Sequence, residues 1–323
     1  MSSPLVTFSL LAYNQEKFIR EALEGAFSQT YSPLEIILSD DCSPDRTFEI
    51  IHEMAAAYRG PHKIILNQNP RNLGIGGNVN RCMQLAGGEI IAIGAGDDIS
   101  LPQRVECIQR EFAASNGNAM AVFSDMTEID GDGEFLKNTD TRPPAGFDNP
   151  VQCCHNMLGG IAGASNAWHR KVFDVFGPLQ HEVVFEDRVI ALRAALLGGI
   201  RHIPKPLVKY RRHPKNTVAM FCSHDVRMTR QALECFLCAY RNSASDLETF
   251  INKIQPDFSD AARCRRIIRR RIRKLEAYLQ IHSGSPKQIL SGLGGIIATA
   301  GNPFVALKLA VRILRTQRKS TLT

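Results

Sequence analysis

Three pairs of carboxylates stand out along the chain: Asp40-Asp41, Asp97-Asp98 and Glu186-Asp187. The first ends the apolar stretch Leu34-Glu-Ile-Ile-Leu-Ser, and the second follows Glu89-Ile-Ile-Ala-Ile and a Gly-Ala-Gly turn. The third opens a stretch of helical period. Carboxylates crowded on one edge repel one another. They are tolerated where each has a partner: a hydrogen bond to a base or ribose, a hard divalent cation, or a proton to remove. Taken singly, an Asp pair after a strand is ordinarily a turn or a helix cap. Asp45 reads as such a cap, because Arg46 to Tyr58 follows with helical spacing. Three clusters in order, with the glycine-rich Asn72-Leu-Gly-Ile-Gly-Gly-Asn78 between the first two, are harder to assign to chance.

The elements that must carry them alternate. Strand-like runs fall at Leu5–Leu11, Leu34–Ser39, Lys63–Asn67, Glu89–Ile93 and Ala119–Ser124. Between them lie helix-like stretches at Glu16–Gln29, which Asn14 can cap, Pro44–Tyr58, Val79–Leu85 and Leu101–Ala114. Continuous apolar strands alternating with amphipathic helices imply a mostly parallel sheet covered on both faces. Ligands of such sheets collect at the carboxyl ends of the strands, where the first two acidic pairs fall. Asp130-Gly-Asp-Gly signals a hairpin turn, and 137–150 reads as a mobile polar loop. A strand is expected at the end of Gly159–Trp168, a helix over Glu186–Leu197 and a closing strand over Pro206–Tyr210. Helices at 221–242, 259–281, 286–298 and 303–317 follow. The expected division is 1–220 as an α/β unit and 221–323 as a basic helical extension.

Within these elements, Pro4–Asn14, Ser28-Gln-Thr-Tyr31, Leu34–Thr47, Asn72-Leu-Gly74 and Gly96-Asp-Asp98 resemble the family 2 glycosyltransferases of the GT-A fold, over about residues 4–220. The resemblance implies an α/β, GT-A-like (Rossmann-like) architecture, a nucleotide-activated sugar donor, Mn²⁺ or Mg²⁺, and inversion at the sugar carbon. By position, Ala12, Tyr13 and Asn14 match the nucleotide-contacting segment. Asp41 matches the carboxylate that accepts from a uracil-type base, and Asn72 with the glycines after it, Gly76 included, matches the segment lining the nucleoside. Asp97 and Asp98 match the metal motif. Ala95 stands where many relatives carry a further aspartate, so Asp98 is the expected ligand and Asp97 is expected to reach the ribose or support the site. Glu186-Asp187 matches a pair whose aspartate is the base. Lys209 to Asn216 resembles a late motif whose histidine, His213, holds metal or diphosphate. Gly160 to Trp168, with Gly163, resembles the acceptor loop. Trp168 could stack on an acceptor sugar or sit in the core. One of Arg211 and Arg212 is expected to pair with diphosphate, with Arg211 assigned to that region.

Other signals lead elsewhere. Gly74-Ile-Gly76-Gly-Asn-Val79 fails as a dinucleotide fingerprint, because Val79 takes the third glycine position and the turn does not follow the first strand. No Gly-Lys-Ser/Thr loop is present. Cys235-x-x-Cys238 lacks a matching pair, so core packing is the expectation rather than zinc. A nucleotidyltransferase would need a basic glycine-rich loop after strand one, where this chain has Tyr13-Asn-Gln-Glu16. A non-catalytic sugar-nucleotide-binding scaffold would have no use for intact Asp41, Asp98 and Asp187.

Composition sets the outer bounds. With 44% hydrophobic and 22% charged residues, the 323-residue chain is neither disordered nor fibrous. Its nine scattered cysteines and the Met-Ser-Ser-Pro start read as a reduced, cytosolic protein. Charge divides unevenly: residues 221–323 carry 18 Lys/Arg against 7 Asp/Glu, and none of the acids follows Glu276. A solvated basic helix face is one reading. Docking on the anionic inner leaflet is another and suits a carbohydrate or lipid-linked acceptor. Nucleic acid is not expected as a partner, since the tail is poor in aromatics.

Overall fold

The computed structural model describes residues 3–139, 146–156, 163–180, 182–214, 216, 230–282 and 286–300. The expected helix at 303–317 and the unit boundary near 220 lie outside them, as do parts of the 137–150 loop and of the acceptor-loop segment.

Among the described residues nine strands form one mixed sheet in the order β3-β2-β1-β4-β8-β6-β9-β5, with β7 paired to β6. β1 is Val6–Ala12, β2 Leu34–Asp40, β3 Lys63–Gln68, β4 Ile90–Ala95 and β5 Ile99–Ser100. β6 is Ala121–Ile129, β7 Phe135–Thr139, β8 Ala167–His169 and β9 Ile200–Arg211. β1 pairs in parallel with both β2 and β4, β2 with β3, and β6 with β9. β8 runs antiparallel between β4 and β6. Every residue of β2 is buried, as expected for a central strand covered on both faces. The Asp130 turn joins β6 to β7: its Oδ1 accepts from the N–H groups of Asp132 and Glu134, both at 2.9 Å.

The helices are α1 Ile19–Phe27, α2 Thr47–Ala57, α3 Gly74–Leu85, α4 Arg104–Ala114, α5 Pro150–Asn156, α6 Lys171–Asp174 and α7 Glu186–Leu197. Beyond 229 come α8 Arg230–Lys253, α9 Ala261–His282 and α10 Pro286–Ala300. Two expectations need correction. Asn14 does not cap α1: it has a left-handed φ of 56°, and the helix starts five residues later, after Phe18. α3 starts at Gly74 rather than Val79, where the Leu73 and Gly74 N–H groups meet the Asp41 carboxylate. Asp45 does serve α2, accepting from the Thr47 N–H at 3.1 Å.

Each face of the sheet carries a core. α1, α2 and α4 cover one, around Phe8, Leu23, Ile36 and Ile108. The other gathers α3, α5 and α7 together with α8 and α9, so Leu237, Phe250 and Ile268 share a core with Val79, Ile91 and Val189. Cys235 and Cys238 pack against it. One buried ion pair pins this seam. Arg193 of α7 donates to Asp246 of α8 through Nε at 2.7 Å and Nη2 at 3.0 Å, and through Nη1 to Gly177 O at 2.8 Å. Asn242 Nδ2 donates to Asp246 at 2.8 Å, while Asn242 Oδ1 accepts from the Gln180 N–H at 2.8 Å. Removing one partner strands the other charge away from water. Asp246→Ala should therefore lower the unfolding free energy by about 3–5 kcal/mol in urea titration, and the double apolar replacement Arg193→Met with Asp246→Leu by much less.

Candidate active site

The carboxyl ends of β1, β2 and β4 lie side by side, with Ala12 opposite Asp40 and Leu11 opposite Ala95. Tyr13 and Asn14 follow β1, Asp41 follows β2, and Asp97 and Asp98 follow β4. The sheet register thus brings the first two acidic pairs to the strands on either side of β1, two strand spacings or ~10 Å apart. Ala12 is buried and its carbonyl accepts from the Asp41 N–H at 2.9 Å. Tyr13 is 46% exposed at this edge, and the Asn14 N–H donates to Ser43 Oγ at 2.9 Å.

Asp41 is buried and tightly held. Its Oδ1 accepts from Asn69 Nδ2 and from the Leu73 N–H, both at 2.8 Å, and its Oδ2 from the Gly74 N–H at 2.9 Å. The last two donors belong to the start of α3, so carboxylate and helix terminus attract one another. Burial outweighs these bonds and raises the carboxyl above its usual range. Oδ2 keeps capacity for a further donor. Asn72 is exposed, and its Oδ1 also accepts from the Gly74 N–H, at 2.9 Å.

Gly76 does not line a ligand space. It is buried, its N–H donates to Val183 O at 2.9 Å, and a Cβ there would stand 2.6 Å from that oxygen. The close approach is to the chain just ahead of α7. It ties the Asp41 turn to the helix that Glu186 and Asp187 begin.

The short antiparallel β8 brings the third pair to the same edge. Because β8 runs backward beside β4, its entry lies at the β4 carboxyl end, where the Ile93 N–H donates to Asn166 O at 3.1 Å. A 3₁₀ turn, Gly163–Ser165, precedes it. A Cβ on Gly163 would meet Glu186 Oε1 at 2.8 Å and Asp187 Oδ2 at 3.8 Å. The Gly163 N–H donates to the Asp187 carboxylate, and the Arg188 N–H reaches Asp187 Oδ1 at 2.8 Å. Both carboxyls are half-buried in the first turn of α7. Burial first, then the neighbouring Asp187 charge, pushes the Glu186 carboxyl up to about 8. Burial also raises Asp187, against the pull of Arg188 and the two N–H donors.

Asp98 is 5% exposed, and its Oδ1 accepts from the Arg211 N–H at 2.9 Å. Among the described residues nothing donates to its Oδ2. Burial and the adjacent Asp97 hold its carboxyl well above the usual range. Asp97 Oδ2 lies 2.9 Å from His213 Nε2 and accepts from Asn216 Nδ2 at 3.2 Å. His213 also packs on the Phe18 ring, with centroids 4.9 Å apart. Among the described residues no three His, Cys, Asp or Glu side chains are arranged to hold an ion. A hard cation that keeps water and phosphate in its shell needs only one or two protein ligands, and the undonated Asp98 Oδ2 beside a second carboxylate fits that need.

Of the two readings of Trp168 the core one holds, and the diphosphate role expected of Arg211 is overturned. Trp168 is 1% exposed, its indole N–H points at Met83 Sδ at 3.4 Å and its ring stacks on Phe173, so no sugar can stack there. Arg211 is equally buried. Its Nε donates to Asp97 O at 3.0 Å, its Nη2 to Glu21 at 3.0 Å, and the guanidinium sits 4.9 Å over the Phe18 ring. It braces the turn rather than facing a diphosphate. Arg212 is held by Glu128 at 2.9 and 2.7 Å. No residue pattern points to Asn69 or to the fully buried Arg104, whose Nη2 donates to Ile93 O at 2.6 Å beneath Asp98, and helical spacing marks Phe18 only as an apolar residue.

The family model described as glycosyl transferase family 2 matches residues 9–176, just over half of the chain. The chain belongs to that family. It is 33% identical over 223 residues to the chondroitin synthase of Escherichia coli, covering 66% of this chain and 30% of that protein. It is similar to S. aureus TarS 1-349 in complex with UDP-GlcNAc, with a TM-score of 0.62 and 15% identity over 91% of this chain and 80% of that one. It is also similar to the mannosyltransferase PcManGT from Pyrobaculum calidifontis in complex with GDP-Man and Mn²⁺, with a TM-score of 0.53 and 18% identity over 100% and 81% of the two chains. These likenesses show the GT-A fold. The chain spans about half the length of several curated relatives it matches. No described helix is long and apolar enough to cross a membrane.

The Glu186 environment carries a stability signature. The folded state holds this proton more tightly than the unfolded chain does, so stability falls as pH rises from about 4.5 through about 8. Glu186→Gln should flatten that part of the Tm-against-pH curve and raise Tm at pH 8 relative to the wild type. An unchanged slope would show that Glu186 ionises normally.

Proposed function

We propose that this chain is an inverting glycosyltransferase that moves a sugar from a nucleotide-diphosphate donor, a UDP-sugar favoured, to an acceptor hydroxyl. The observation that carries the reading is the meeting of all three acidic pairs at one sheet edge. Residues 1–220 would be the transferase unit, with 221–323 as a basic helical extension docked on it.

On the donor side, exposed Tyr13 offers a ring face to the base, and Asp41 Oδ2 can accept from a base N–H while Asn14 and Asn72 border the nucleoside. Asp98, with His213, would hold Mn²⁺ or Mg²⁺. When bound, such an ion neutralises charge on the departing diphosphate as a Lewis acid. Asp97 orients His213 and Asn216 from beside it. On the acceptor side, Gly163 leaves room beside the acidic pair, since a side chain there would press on Glu186 and lie in contact with Asp187. Asp187 takes the hydroxyl proton as the acceptor oxygen bonds to the sugar carbon and the bond from that carbon to phosphate breaks. Attack from the face opposite the leaving group inverts the carbon. Burial makes Asp187 a better proton acceptor than an exposed carboxylate.

The donors named for the two structural neighbours, UDP-GlcNAc and GDP-Man, are the first candidates. A carbohydrate or lipid-linked acceptor in surface polysaccharide or glycolipid assembly suits the reading, on the cytoplasmic side of a membrane. A panel of UDP-, GDP- and dTDP-sugars, with and without Mn²⁺, should include one that raises Tm and is turned over. Asp187→Asn should keep that stabilisation while turnover falls roughly 10²–10⁴-fold. Full turnover by this variant would remove Asp187 as base, and a panel with no stabilising sugar nucleotide would remove the donor class.

A further inference from the structure

Helix α9 has two unlike sides. Cys264, Ile267, Ile268, Leu275, Ala277 and Ile281 are buried. Arg263, Arg266, Arg269, Arg270 and Arg273 are exposed, and their spacing of three and four places them on one side of the helix. Neighbouring arginines are already engaged: Arg265 Nε donates to Glu248 at 2.7 Å, and Arg271 to His155 O at 3.1 Å. Among the described residues no carboxylate lies within ion-pair distance of Arg263, Arg266, Arg269 or Arg273. Asp260, one turn ahead, and Glu248, held by Arg265, are the acids in their vicinity. Like charges spaced this way destabilise a bare helix, which an anionic counter-surface relieves.

α10 continues the pattern. It packs on α9 so closely that a Cβ on Gly292 would meet Ala277 O at 2.5 Å. Leu290, two residues away and therefore turned from that contact, is 70% exposed. Lys287 is the only charged residue of α10, and no acid follows Glu276. Exposed basic side chains with an exposed leucine, and with Glu276, the one acid in the sequence of the two helices, held by Arg241 of α8, are the pattern of an interfacial helix pair. Stacking on nucleic-acid bases would need aromatics, and α9 has only Tyr278, which Lys274 covers at 5.6 Å.

We propose that the outward face of α9, with Leu290 of α10, seats the protein on an anionic lipid bilayer. The docking stands independently of the transferase reading; its use rests on that reading. α9 holds α5 through Arg271, and the chain leaving α5 returns at Gly163, beside Glu186 and Asp187. A lipid-linked acceptor would thus be presented on the side of the molecule where α9 holds α5.

Sedimentation of the full chain with vesicles tests this. The protein should bind mixed phosphatidylglycerol–phosphatidylcholine vesicles, not phosphatidylcholine alone, and added salt should weaken binding. Replacing Arg263, Arg266, Arg269 and Arg273 together by Gln should cut partitioning by roughly tenfold or more, and replacing them by Lys should keep it within about threefold. Circular dichroism and Tm report whether both variants fold. The proposal is overturned if the wild type or the Lys variant fails to bind anionic vesicles, if a folded Gln variant binds like the wild type, if phosphatidylcholine binds equally well, or if an RNA oligomer displaces the protein from vesicles at equal phosphate. Donor stabilisation of Tm, measured without lipid, reports on the transferase reading alone.

Discussion

The Asp41 carboxylate is the point from which the site is built. A buried negative charge must be met by donors, and three N–H groups meet this one: the Asn69 amide and the backbone of Leu73 and Gly74. Satisfying the charge fixes where α3 begins. α3 in turn offers Gly76 to the chain ahead of α7, so one carboxylate after β2 settles the position of another pair well over a hundred residues later. The acidic groups at this edge are links in one bonded path.

The path is negative, and the fold supplies compensation from below rather than from the ligand side. Arg104 is wholly buried beneath Asp98, where burial lowers its own pKa to about 10, and Arg211 lies against the Asp97 turn. Both are spent on carbonyls and side chains of the protein. The charge of Asp97 and Asp98 is therefore moderated but not cancelled. A carboxylate oxygen without a donor, in a group already held above its usual pKa, is the state that a cation or a proton relieves.

Much of this was legible in the sequence. Alternating apolar runs and helical periods mark β1 to β4 and β6 in order, and the strand-end rule puts Asp41 and Asp98 at one edge. The failures share a cause. β5 and β8 span two and three residues, too short for a period of two to register, yet β8 is what carries Gly163 and hence Asp187 to the edge. Its alternation also turns Trp168 inward. Arg211 looked like a phosphate ligand because its partners, Phe18 and Glu21, lie some 190 residues away in sequence and meet it only in three dimensions. Gly76, expected to line the nucleoside, is instead a place of close approach to the protein's own chain at Val183.

The Arg193–Asp246 bridge has a bearing on how the molecule can be taken apart. A polypeptide severed between β9 and α8 would keep Arg193 on α7 with its counter-ion gone, and would bare the apolar flank that Leu237 and Phe250 cover. α7 would then lose its foundation at the end opposite Glu186 and Asp187. The helical tail behaves as a buttress, and truncation would unseat the proposed base from behind while stripping Phe236 from the Phe185 ring and the Arg188 guanidinium on either side of the acidic pair.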